Sequence, residues 1–352
     1  LEKRLELVSD KLNWLDSTGI DEVTREVLST AADIALGTNP EDLLIIARWL
    51  RNDMNMRTTP QALLILASRM ESTKSLVRKY VPTIVLRPDE VKTCLLMHRF
   101  FFGMKTLKNG LAQGLSDRMA QFGERALLKY DGVGWPTWKD VLNILPRGNG
   151  RPLSKEIATY FLKGEVVNPQ ATPVIAARKA LSKMDDFDTS AQKLAEESQV
   201  NWEVLLSQFG TTAAGKKAVW EYLIEKDLLG YMALLRNLRN ILQSGVDSKA
   251  ICKVAKRISD RDEVLASKQL PFRFLSAYRS LTDAGLVKNE ADVSELLGAV
   301  ELASNISAEN IKLPGTTAIF VDASGSMTGS TVSEKSTVKV SEAASMLAGI
   351  VA

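Results

Sequence analysis

Helical periodicity runs from the start of this chain to about residue 310, and it limits the possible folds more than any other feature. Apolar residues recur three and four positions apart, which places them on one helix face, as in Leu234, Leu238 and Ile241. Pro88 and Pro271 open two such segments at a position where the missing N–H costs no hydrogen bond. Strand-like alternation is almost absent here, so we predict a mainly α fold of short, stacked helical pairs.

Positive charge is concentrated in two blocks of the sequence. The net charge is only +3, but residues 85–180 hold 15 Lys/Arg against 8 Asp/Glu, and residues 211–280 hold 13 against 7. The stretch between them, residues 181–210, is acidic. Basic surfaces of this kind attract polyanions, although solvated helix faces without a ligand give the same pattern.

The residue inventory argues against enzyme chemistry. His98 is the single histidine, and the two cysteines, Cys94 and Cys252, lie in apolar helical contexts. No pairing of a nucleophile with a base, no paired carboxylates and no zinc ligand set can be named. We therefore expect a protein that is not an enzyme. No apolar run is long enough to span a bilayer, so we predict no membrane-spanning segment. The two cysteines are read as buried free thiols, which favours a cytoplasmic location.

The stretch GTTAAGKKA resembles a phosphate-binding loop. Gly210, Gly215 and Lys216 match most of that motif, but Lys217 stands where the Mg²⁺-binding hydroxyl belongs. The preceding WEVLLSQF has helical rather than strand character. We predict a loop between two helices here, not an ATP site.

The pattern changes at TAIFVDASGSMTG, residues 317–329. A short apolar run ends in Asp322, Ser324 and Ser326, which predicts a strand followed by a loop with three oxygen donors. Such donors suit Mg²⁺, and open α/β sheets bind ligands at the carboxyl ends of their strands. A helix is predicted after the loop, from Ser333 or Ser336 onward.

This stretch resembles the start of a von Willebrand A module with its metal-ion-dependent adhesion site (MIDAS). The resemblance implies that Asp322, Ser324 and Ser326 hold the metal, and that a Thr and an Asp from beyond Ala352 complete the ligand set. The chain lacks a starting Met and stops after about one β-α unit. We therefore expect it to be part of a longer protein, with an incomplete A module.

Five segments before this module resemble the TROVE domain of the Ro autoantigen family, and they occur in that family's order. They are RTTPQALLILA (57–67), GWPTWKDVLNIL (134–145), ATYFLKG (158–164), MALLRNLRNI (232–241) and LPFRFLSAYRSL (270–281). The resemblance implies a TROVE ring of HEAT-like helical repeats over residues 1–312, followed by the A-module segment over residues 313–352.

The family resemblance also implies a function. Ro-like proteins bind single-stranded 3′ ends of misfolded or small non-coding (Y-like) RNA through a basic ring, without catalysis, as ribonucleoproteins. The alternative is a helical-repeat scaffold within a larger assembly, which contacts a protein partner through the metal loop. Bound nucleic acid would distinguish the two.

Candidate RNA-binding residues follow from the basic blocks and from the resemblance. Family members often have His at two landmarks where this chain has Trp138 and Arg273. Trp138 would still stack on a base, and Arg273 would still contact phosphate. The full set is Lys105, Lys108, Arg118, Trp138, Lys139, Arg147, Arg151, Lys155, Arg236, Asn237, Arg239, Asn240 and Arg273.

Overall fold

The protein is represented by a computed structural model, which describes residues 39–103, 105–132, 134–145, 153–282, 289–310, 318–332 and 338–351. These residues are mainly helical, so the predicted α fold is confirmed. The chain divides into two compact units, Leu1–Ala180 with Glu197–Gln199, and Leu181–Glu196 with Val200–Ala352. The predicted boundary between residues 312 and 313 lies outside the described residues, and closure of the helices into a ring stays a prediction.

The first unit contains nine of the described helices. They are α1 Asp42–Asn52, α2 Thr58–Ala67, α3 Val77–Ile84, α4 Pro88–Phe102, α5 Asn109–Met119, α6 Glu124–Leu128, α7 Trp138–Ile144, α8 Lys155–Lys163 and α9 Pro173–Leu181, whose last residue falls in the second unit.

Helix α2 is the centre of the first unit's core. It is buried on nearly all sides and packs against α1, α3 and α4. Such a helix must be apolar around its whole circumference, and the sequence ALLILA provides this. Leu63 and Leu64 have no exposed surface, and burying a leucine of this kind stabilises the fold by roughly 1.5–3 kcal/mol.

The second unit contains eleven described helices. They are α10 Thr189–Glu197, whose last residue belongs to the first unit, α11 Trp202–Phe209, α12 Ala213–Glu225, α13 Tyr231–Arg236, α14 Leu238–Gln243, α15 Ser248–Ile258, α16 Arg261–Ser267, α17 Pro271–Thr282, α18 Glu290–Ala308, α19 Gly325–Gly329 and α20 Val340–Val351.

Helix α18 organises the second unit. It packs against α15, α16 and α17, and its buried residues Leu296, Val300 and Ala303 follow helical spacing. The predicted helix start at Pro271 is confirmed in α17. Asn289 caps α18, because its side-chain oxygen accepts a hydrogen bond from Ala291 N at 3.1 Å.

The loop that resembles a phosphate-binding motif joins α11 to α12, as predicted. Thr212 Oγ1 accepts a hydrogen bond from Gly215 N at 3.1 Å and caps α12. A Cβ on Gly215 would lie 2.1 Å from the carbonyl oxygen of Phe209. The glycine is therefore required by close backbone packing between two helices.

The predicted strand before the Asp-Ser loop is not formed in the described residues. Residues 318–321 belong to no helix or strand, and Phe320 is 92% exposed. A strand of this kind is stable only beside other strands, and the described part of this region offers one isolated bridge, between Thr331 and Lys339. The helix predicted after the loop is α20, which begins at Val340 and packs against α17.

Candidate nucleic-acid interface

A basic cleft opens on the surface of the first unit. It has a volume of about 800 Å³ and lies between the segment after α2 and the segment that joins α4 to α5. Its cationic residues are Arg69, Lys74, Lys105 and Lys108, and we call it the basic cleft. Among these, Lys74, Lys105 and Lys108 are exposed. Four cations around one opening make a surface suited to phosphates.

The α4–α5 connection supplies two of these lysines because of how α4 ends. Gly103 has a φ of +62°, a conformation that favours glycine, and its N–H donates to Arg99 O at 2.8 Å. The chain then leaves the helix, and Lys108 has an extended backbone before α5 begins. Lys105 and Lys108 therefore project from a short connection rather than from a packed helix face.

Arg69 holds the two sides of the cleft together. It donates hydrogen bonds to Thr106 O at 2.7 Å and to His98 Nε2 at 2.8 Å, and its guanidinium lies 4.8 Å from the Phe102 ring centroid. Burial lowers the pKa of Arg69. Arg69 thus fixes the cleft wall, and the exposed Lys105 and Lys108 are the cations best placed to contact a ligand. Lys74 also forms an exposed ion pair with Glu71, which gives little stability to the fold.

Three predicted residues of the first unit occupy different environments. Arg118 is partly buried and donates to Val85 O at 2.7 Å, so it fixes the end of α3. Lys139 and Lys155 are exposed in the first turns of α7 and α8. The predicted Arg147 and Arg151 lie outside the described residues.

The predicted base-stacking role of Trp138 is incompatible with its position. Its side chain is 1% exposed, and the indole N–H donates to Leu127 O at 2.9 Å. Its ring also lies 6.0 Å from that of Phe161, so α7 packs with Trp138 on its inner side. Thr137 and Asp140 form a capping box at the start of α7, and packing makes Trp138 a core residue.

The candidates of the second unit lie on α13, α14 and α17, and Asn237 lies at the break between α13 and α14. Arg236, Arg239 and Asn240 are exposed around the short break between α13 and α14. Asn237 is 7% exposed, donates to Ala233 O at 2.8 Å, and accepts a hydrogen bond from Asn240 at 2.9 Å. Asn237 therefore stabilises the break and does not face a ligand. Arg273 is exposed and lies over Phe272 at 5.1 Å.

The Asp-Ser loop precedes and enters α19. Asp322 accepts a hydrogen bond from Ser324 N at 2.8 Å, and the hydroxyl oxygens of Ser324 and Ser326 are 3.1 Å apart. The backbone hydrogen bond from Ser324 lowers the pKa of Asp322, so this carboxylate is ionised at neutral pH. These donors fit part of a Mg²⁺ shell. The described residues contain no group of three or more His, Cys, Asp or Glu placed to hold a metal.

Sequence reasoning missed Arg69 and Lys74 as members of this interface. Both lie in a polar connection after α2, and neither belongs to the two basic blocks of the sequence. Only the packing of the helices brings them beside Lys105 and Lys108. No helix within the described ranges is both long enough and apolar enough to cross a membrane.

Three comparisons with known proteins agree with this architecture. Residues 169–295 match the TROVE domain. Telomerase protein component 1 of Mus musculus is 24% identical over 313 residues, and that of Rattus norvegicus is 25% identical over 309 residues. These matches cover 74% and 73% of this chain but 12% and 11% of the relatives, so the chain spans about an eighth of their length.

A solved structure shows the same kind of fold. The crystal structure of the Ro (RSR) protein of Deinococcus radiodurans superimposes with a TM-score of 0.62 at 16% identity, over 83% of this chain and 59% of that chain. The comparisons thus show similarity to the TROVE domain over residues 169–295 and to the helical fold of the Ro structure. The TROVE match ends at residue 295, and the A module after residue 312 stays a prediction.

Proposed function

We propose that this protein binds the single-stranded 3′ ends of misfolded or small non-coding, Y-like RNA, without catalysis, as part of a cytoplasmic ribonucleoprotein. The observation that carries the proposal is the basic cleft of Arg69, Lys74, Lys105 and Lys108. The TROVE match and the helical fold shared with the Ro structure add support.

The chemistry of the cleft favours a flexible, single-stranded polyanion. Lysine is a point charge on a flexible stem and therefore tolerates many phosphate positions without reading sequence. An opening of about 800 Å³ between two loops accepts a strand end more readily than a rigid duplex. Binding through phosphates should weaken as salt rises, because each neutralised phosphate releases counterions.

Charge reversal in the cleft tests this proposal. We expect K105E/K108E to lower the affinity for a fluorescein-labelled stem–loop RNA with a 3′ tail by about tenfold or more, and to reduce the salt slope by about 1.4 for two lost phosphate contacts. Fluorescence anisotropy over a range of salt concentrations measures both. K183E/K249E is a matched control, because both lysines are exposed, lie in the second unit and give the same change of charge. Equal affinities and slopes for the two double variants would contradict the proposal.

The scaffold alternative is favoured by one specific observation. Ile319, Phe320 and Val321 are exposed in a segment outside any helix or strand, and Phe320 is 92% exposed. Such a segment suits pairing with the edge of another sheet, either a later part of an A module or a partner protein. Co-purification with a protein partner, together with no affinity for the tailed RNA at low salt, would favour the scaffold.

We propose, in addition, that Asp322, Ser324 and Ser326 take part in binding Mg²⁺. The ionised carboxylate and two neighbouring hydroxyls support this assignment. When bound, the ion would supply a contact for an acidic group of a protein partner.

A further inference from the structure

A smaller pocket adjoins the basic cleft and differs from it in chemistry. It has a volume of about 340 Å³ and shares Lys105, Thr106, Leu107 and Asn109 with the cleft. A ligand that fills the cleft can therefore extend into this space, which we call the side pocket. Its volume falls within the range of small-molecule sites.

The walls of the side pocket are largely apolar and include an exposed tryptophan. Leu95 and Ala112 are buried lining residues, whereas Ile144 and Trp135 are 44% and 43% exposed. The Arg99 guanidinium lies 4.6 Å from the Trp135 ring centroid. Aromatic rings and guanidinium planes are the groups on which unpaired bases stack.

His98 adds no positive charge to the side pocket. Burial, with a smaller effect from Arg69, lowers the pKa of His98 to about 4. Because Arg69 donates to His98 Nε2, the ring proton of the neutral imidazole is on Nδ1. The apolar and aromatic part of the lining suits a base, and Arg99, Lys105 and Asn109 add polar groups to the same pocket.

We propose that the side pocket takes one unpaired base of a bound RNA, which stacks on Trp135 while the lysines of the cleft hold the neighbouring phosphates. The two ligand chemistries match the two environments, charge in the cleft and an apolar aromatic wall in the pocket. This inference rests on the proposed function, because it names where one nucleotide of the same ligand sits.

The test compares W135A with W49A on two RNA probes. Trp49 is also in the first unit and is 50% exposed, so W49A controls for loss of an exposed indole. With a fluorescein-labelled 12-nucleotide single strand, we expect W135A to lose about 5- to 150-fold in affinity, as for removal of one stacking platform, with the salt slope unchanged. W135F should retain most of the affinity, and binding of a blunt duplex should not respond to W135A.

A fluorescent base gives a readout that a structural role would not move. In a single strand that carries 2-aminopurine, stacking quenches the base on binding, and we expect W135A at saturating concentration to abolish the quenching that W49A retains. If the wild type binds RNA but W135A matches W49A in affinity and quenching, the side-pocket inference is wrong and the proposed function stands. If the wild type binds no RNA, both are wrong.

Discussion

Arg279 donates two hydrogen bonds to the carboxylate of Glu342, from Nη1 to Oε2 at 2.9 Å and from Nη2 to Oε1 at 2.8 Å. The pair joins α17 of the TROVE-like region to α20 of the C-terminal segment. Glu342 also accepts a hydrogen bond from Lys339 N at 2.8 Å, just before α20 begins. One carboxylate therefore caps the helix and attaches it to α17.

The titration of Glu342 tests this attachment. The hydrogen bonds from Arg279, and then from the Lys339 backbone, lower the pKa of Glu342 to about 2, from 4.5. A lowered carboxyl pKa gives stability that is present above pH 4.5 and is lost as the pH falls towards 2. We expect NMR titration to show the Glu342 pKa rising in R279M, with α20 amides exchanging faster at pH 6. An unchanged pKa in a folded R279M protein would show that the pair does not form.

A buried ion pair between Arg51 and Glu90 should stabilise the first unit more than the exposed ion pairs on its surface do. Arg51 donates to Glu90 at 2.8 Å, and their side chains are 9% and 1% exposed. Removing Arg51 takes the closest cation from the buried Glu90 carboxylate, which keeps hydrogen bonds from Leu86 N and Arg87 N, so we expect R51M to cost about 3 kcal/mol. Hydrogen exchange of the amides in α1 and α4 measures this loss.

The neighbouring Arg57 provides the control for that variant. It also lies near Glu90, at 3.9 Å, but is 53% exposed. Solvent screens exposed pairs, so R57M should cost less than about 1 kcal/mol. Equal effects of R51M and R57M would contradict a special role for the buried pair.

Charge on the second unit should also affect RNA binding. We expect R236E/R239E to weaken binding of single-stranded RNA and to reduce its salt slope by about 1.4, because two exposed cations near the α13–α14 break would lose phosphate contacts. Anisotropy titrations at several salt concentrations check this against K183E/K249E. A slope equal to that of the wild type would remove these arginines from the interface.

The Asp-Ser loop should act independently of RNA. We expect D322A to abolish Mg²⁺ binding measured by calorimetry, because the ionised carboxylate is the strongest donor of the loop, and to leave RNA affinity unchanged. S330A is a control, since Ser330 follows the loop and is not among the proposed ligands. A folded D322A protein with weaker RNA binding would show that the two features are coupled.

Local sequence signals predicted the helices and several of their ends. The helix starts at Pro88 and Pro271 and the loop before α12 depend on residues close in sequence, so their chemistry can be read directly. Local signals were not enough to predict the strand at residues 318–321, because a strand is stabilised by partners distant in the chain.

The candidate interface was predictable only in part, for a physical reason. Sequence identified Lys105 and Lys108 as basic residues, but tertiary packing decided that Arg69 and Lys74 lie beside them. Packing also decided that Trp138 is buried whereas Trp135, three residues earlier, is exposed beside Arg99. Residue type and spacing determine which groups a helix carries. Which of those groups reach solvent depends on the contacts made by its neighbours.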